Sequence, residues 1–66
     1  MPLANRLKQI RMQEYQMNQK EFRIMLGIDV ASTYSQIESG KRVPGMEFAY
    51  EIAAKLNRSV DDIWYR

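Results

Sequence analysis

The stretch that decides the fold is Asn18–Pro44, NQKEFRIMLGIDVASTYSQIESGKRVP. It opens with Asn18 followed three residues later by Glu21. At this capping-box spacing each side chain bonds the other residue's backbone N–H, so a helix starts here. Phe22, Met25 and Leu26 give that helix a buried stripe, and Gly27 stops it. Asp29 stands where it can cap a next helix, whose Val30, Tyr34 and Ile37 fall at i, i+4 and i+7. Gly40 ends that helix, and Lys41-Arg42-Val43-Pro44-Gly45 reads as a basic loop.

On the N-terminal side, Leu3, Leu7 and Ile10 share one face of a first helix from about Pro2 to Tyr15, with Pro2 harmless in its first turn. On the C-terminal side a fourth helix runs from about Met46 to Leu56, with Met46, Ala49, Ile52, Ala53 and Leu56 inward. Ser59 and Asp62 repeat the capping-box spacing, and Val60 to Tyr65 hold one or two further turns. The hydrophobic period is 3.6 nearly throughout and nowhere two, which predicts five short helices and no strand, an all-α fold. The links are short, with no internal repeat or linker. The second and third helices, about residues 18–38, have the layout of a helix-turn-helix.

The chain has 66 residues, which admits one domain, residues 1–66. Cys and His are both absent, which removes disulfides, zinc fingers, Ser-His and Cys-His nucleophile pairs and imidazole acid–base chemistry. No catalytic constellation is left, so no enzyme activity and no cofactor are expected. Asp61 and Asp62 complement a helix dipole and lack a third oxygen ligand, so no metal is expected either. A hydrophobic content of 45% is too high for a disordered tail. No window approaches the roughly 18 apolar residues of a membrane span, and no signal-peptide core follows Met1; a soluble, cytoplasmic protein is expected. Net charge is only +2, but residues 1–44 carry seven basic and four acidic side chains, against three and four in residues 45–66. A basic front suits nucleic acid, although small domains show such asymmetry by chance as well.

Leu7-Lys8-x-x-Arg11, Asn18-Gln19-Lys20-Glu21-Phe22 and Leu26-Gly27-Ile28 resemble the Cro/phage-repressor (lambda-repressor-like, XRE) helix-turn-helix domain. Ser35-Gln36-Ile37-Glu38-Ser39-Gly40-Lys41-Arg42-x-Pro44 and Ile52-Ala53-x-x-Leu56 continue the resemblance, which covers about residues 3–64. It implies a compact five-helix fold in which helices two and three form the helix-turn-helix. Two departures stand out. Arg23 occupies a position where the family usually has a small Ala, and one extra residue lies between Gly27 and Ile37. Together they leave the register of helix three open by one position.

Counted at 100° per residue, helix three turns Ser32 and Ser35 away from its apolar face, flanked by Ala31 and Gln36, with Thr33 nearer the edge. Such a face is either solvated or a reader of the major groove, where Gln bonds adenine and Ser either partner. The resemblance points to the same positions as base readers. It also implies that Gln19 contacts a phosphate and braces the start of helix three, and that Arg11 and Glu38 form a partly buried ion pair. Lys41 and Arg42, and Lys20 after them, are candidate phosphate grips or ordinary solubilising charges. Phe48, Trp64 and Tyr65 are either core or a self-association patch. Met12, Met17, Met25 and Met46 read as flexible core filler.

The expected function is sequence-specific binding of double-stranded DNA by a small dimeric transcriptional regulator, a repressor acting by occupancy, with no small-molecule ligand. Two other readings use the same fold. One is an antitoxin-like module that binds DNA and masks a partner toxin. The other is a protein-interaction domain that has lost DNA binding, which Arg23, the longer turn and a third helix free of Lys and Arg allow.

Overall fold

Tyr15, Phe22 and Tyr34 stack edge to face in a row, with ring centroids 5.4 and 6.0 Å apart, and this row joins the first three helices. The computed structural model describes residues 3–66. Strand β1 (Ala4–Asn5) leads into helix α1 (Leu7–Gln9), which runs on as a π-helical segment (Ile10–Tyr15). Then come α2 (Gln19–Met25), α3 (Ala31–Ser39), α4 (Met46–Lys55), α5 (Val60–Ile63) and β2 (Trp64–Tyr65). The fold is all-α, and its core takes Leu7, Phe22, Tyr34, Ile37, Ile52 and Ile63 out of solvent. Each such side chain contributes about 1.5–3 kcal/mol relative to exposure.

Three expectations about the elements need correction. A strand pair is present: β1 and β2 run antiparallel, with Ala4 opposite Tyr65 and Asn5 opposite Trp64. Two residues a side are too few to leave an alternating pattern in the sequence. The first helix starts at Leu7 and not near Pro2, which lies outside the described residues. Asn5 sets that start: its Oδ1 accepts the Leu7 N–H at 3.0 Å while its Nδ2 donates to Ile37 O at 2.9 Å. Finally, α5 keeps its Ser59/Asp62 capping box but ends at Ile63, because Trp64 turns extended to join the ribbon.

Three residues assigned to the core are exposed: Val30 and Met12 at 54% and Met46 at 77%. Val30 has extended backbone and precedes α3, so helical spacing does not project it onto the buried face. Met12 sits in the π-helical segment, where the wider turn breaks the 3.6 period. Met46 opens α4, whose buried stripe begins at Ala49. Met17 and Met25 are half-buried against the core.

Candidate nucleic-acid interface

α3 starts at Ala31 and ends where Gly40 takes φ +86°, a left-handed stop. Tyr34 and Ile37 anchor it in the core, while Ala31, Ser32, Ser35 and Gln36 face solvent and Thr33 is half-buried between the two faces. The outward row therefore offers one methyl group, two hydroxyls and one amide. Asp29, expected as the cap, does not cap; Val30 holds the N-cap position, and among the described residues no side chain bonds the first N–H groups of α3.

The C-terminal part of α3 is held by an ion pair. Arg11 Nη2 donates to Glu38 Oε1 at 2.9 Å and Nε to Oε2 at 3.3 Å, and the two side chains keep only 11% and 4% of their surface. Nη1 of the same guanidinium donates to Met17 O at 3.0 Å. Arg11 thus fastens the loop after the π-helical segment and α3 at once, and its bonds to Glu38 hold its pKa above the ordinary arginine value. Beside the pair, the Tyr34 hydroxyl is buried and has no hydrogen-bond partner among the described residues. Burial first, and the Glu38 carboxylate next, push its ionisation far above the usual 10. Lys8, Gln19, Ser35 and Ser39 rim a shallow polar hollow over this pair, so Gln19 stands beside the C-terminal half of α3.

The basic side chains divide into two sets. Arg6 lies over the Tyr65 ring at 4.3 Å and donates to Asp62 O, Arg11 is paired with Glu38, and Arg58 is paired with Glu14. Arg23 Nη1 donates to Ile28 O at 3.1 Å and Asp29 O at 3.0 Å, and Lys55 Nζ donates to Leu26 O at 2.9 Å. Among the described residues Lys8, Lys20, Lys41, Arg42 and the C-terminal Arg66 make no side-chain hydrogen bond, and all five are exposed. These are the charges left for an anion such as a DNA backbone. Lys8 was missed although the expected Arg11–Glu38 pair sets the first helix beside the third, because no motif distinguishes its charge from a solubilising one. Arg23 and Lys55 were missed because their acceptors are backbone carbonyls, which leave no trace in side-chain spacing.

A helix-turn-helix family model matches residues 7–63, and the matched span contains the α2–turn–α3 unit, the ion pair and the free cations Lys8, Lys20, Lys41 and Arg42. The chain belongs to the Cro/phage-repressor-type helix-turn-helix family. No curated protein and no solved structure matches it. The family is one of DNA-binding transcription regulators, so binding of double-stranded DNA is the functional class of this helix-turn-helix protein. Among the described residues no helix is long and apolar enough to cross a membrane.

Phe48, Trp64 and Tyr65, open between core and self-association patch in the sequence, take different places. Phe48 is half-buried against the core, Trp64 is 7% exposed, and Tyr65 carries Arg6 on its ring. Tyr65 is also exposed, and the exposed Val43, Met46 and Tyr50 border an open groove floored by Ala49 and Trp64.

Proposed function

We propose that the protein is a sequence-specific transcriptional regulator that represses by occupying its operator. α3 lies in the major groove, where Ser32, Ser35 and Gln36 bond base edges and Ala31 meets a thymine methyl. Thr33 borders this row. Gln19, Lys20, Lys41 and Arg42 hold the backbone, with Lys8 added to them, and these contacts fix register without reading sequence. The observation that carries this reading is the division of α3. Its outward row is polar, small and exposed, while the residues between them are locked into the core and into Arg11. The 66 residues act as one DNA-binding unit in the cytoplasm.

One such unit makes few contacts, since single modules bury only about 600–1,000 Å² on DNA. We therefore propose a homodimer that brings two copies of α3 about 34 Å apart on one face of the duplex. The exposed Met46 and Tyr50 favour pairing across the groove over Trp64, in place of an interface centred on Phe48 or Tyr65. A partner toxin on the same groove is the second reading, and it rests on the same exposed side chains. Selection of bound sequences from a random duplex pool, with sedimentation at micromolar concentration, tests both parts. A two-fold symmetric site and a dimer are expected; an asymmetric site or a monomer with and without DNA contradicts the dimer.

A further inference from the structure

We propose that Arg23 and Lys55 are positioning residues for DNA recognition: they clamp the turn between α2 and α3 and so set the pose in which α3 meets the groove. This rests on the reading of α3 proposed above and names what fixes its direction.

The turn, Leu26 to Val30, begins conventionally. Gly27 at φ +82° lets its own N–H bond Ile24 O at 3.0 Å and the Ile28 N–H bond Arg23 O at 2.8 Å. After that the local restraints stop. Val30 cannot cap α3, so the start of the helix lacks the side-chain bond that normally fixes its direction. Three carbonyls in this stretch, those of Leu26, Ile28 and Asp29, each receive a cation's N–H instead.

Arg23 holds the turn from both ends. Its backbone oxygen accepts from Ile28, and its guanidinium reaches forward to the oxygens of Ile28 and Asp29. Lys55 comes from α4 and ties Leu26 to that helix, whose Ala49, Ile52 and Ala53 are buried in the core. Gly27 makes room for it, because a Cβ at this position would stand 2.8 Å from Lys55 Nζ. Both cations also sit at the negative end of the α2 dipole. Hydrogen bonds with one charged partner are about twice as strong as neutral ones, which makes this a stiff clamp on a turn otherwise held by two backbone bonds and the buried Leu26 and Ile28 side chains.

The lever it controls is long. A nine-residue helix is roughly 13 Å long and its C-terminal end is pinned by the Arg11–Glu38 pair, so a tilt of about 10° about that pin moves the start of α3 roughly 2 Å. Base-edge hydrogen bonds do not survive such a shift. Exposed lysines on flexible stems follow a phosphate across it. Loosening the clamp therefore removes sequence discrimination and leaves the grip on random DNA.

The test titrates the full chain and its Arg23→Met, Arg23→Lys and Lys55→Met variants with a duplex selected from a random pool and with random duplex. Two salt concentrations are used, with a thermal melt of each variant. Arg23→Met is expected to lose about tenfold in the ratio of selected to random affinity, the size of one charge-assisted hydrogen bond. Its random-duplex affinity and salt slope stay as in the parent. Lys55→Met shows a smaller loss of the same kind, and Arg23→Lys recovers part of the ratio. If Arg23→Met does not fold, the other two variants decide. Equal weakening on both duplexes with a flatter salt slope makes Arg23 a phosphate contact and overturns the clamp, as does an unchanged ratio in every variant. A parent that shows no discrimination overturns the reading role of α3 itself, and the clamp with it.

Discussion

The turn before α3 and the turn before α5 begin alike and end differently. Both leave their helix through a left-handed residue, Gly27 at φ +82° and Asn57 at φ +57°. Both close the same pair of backbone bonds: Gly27 and Ile28 to Ile24 and Arg23 in one, Asn57 and Arg58 to Ala54 and Ala53 in the other. Ahead of α5 the next helix then starts on its own capping box, with Ser59 Oγ accepting from Asp62 N–H and Asp62 Oδ2 from Ser59 N–H. Ahead of α3 no such cap exists, and Arg23 and Lys55 hold the turn from outside it. A self-sufficient junction builds the core; the junction held from a distance presents the helix proposed to meet DNA.

The largest effect concerns the other end of α3. Removing one member of the Arg11–Glu38 pair leaves a nearly buried charge alone, so Arg11→Ala or Glu38→Ala should each cost about 3 kcal/mol, read from denaturant melts. If both variants melt with the parent, α3 is not held at this end and the contrast between the two junctions loses its frame.

Glycine at 27 is the next way to sharpen the contrast. Gly27→Ala should cost about 1–2 kcal/mol for the left-handed backbone, with further loss from displaced Lys55, whereas Asn57→Gly should be neutral or slightly stabilising. Equal effects in thermal melts would mean that Gly27 relieves no left-handed strain and that displacing Lys55 costs nothing.

The capping box supplies a smaller effect. Ser59→Ala should cost about 1 kcal/mol. The Ser59 hydroxyl and backbone N–H hold the Asp62 carboxyl below the ordinary carboxylate range. Because that pKa is lowered on folding, the stabilisation is present above the unfolded value near 4 and is lost as pH falls through the folded one. Melts from pH 6 to pH 2 should therefore show an acid-sensitive component that Asp62→Asn lacks.

The smallest effect lies between the two junctions, at Tyr34. Its hydroxyl has no partner, so Tyr34→Phe should be neutral or slightly stabilising at pH 7. The folded protein holds this phenol protonated above the usual 10, so stability falls as pH rises past about 10, where the unfolded chain begins to ionise. Tyr34→Phe should lose stability less steeply there.

Locally coded features were legible in the sequence. The Asn18/Glu21 and Ser59/Asp62 boxes, the Gly27 and Gly40 stops and the Tyr34–Ile37 anchor all rest on partners within four residues. The outward row of α3 followed from that anchor, and the Arg11–Glu38 pair followed from resemblance. What was not legible depends on distance. Val30 looked like a stripe residue because its spacing from Tyr34 is helical, yet the helix begins after it. Arg23 looked like a misfit because its acceptors, two backbone carbonyls brought round by the longer turn, exist only in the folded chain. The β1–β2 ribbon joins residues 4–5 to residues 64–65, a pairing no local pattern announces.

The central claim is that α3 reads bases while the exposed cations only grip. Paired salt titrations of Gln36→Ala and Lys41→Ala on selected and random duplex test it most directly. Gln36→Ala should lose about 1–3 kcal/mol on the selected duplex and little on the random one, with an unchanged salt slope. Lys41→Ala should weaken both duplexes alike and flatten the slope by about one unit. Identical profiles for the two variants would contradict the placement of α3 in the major groove.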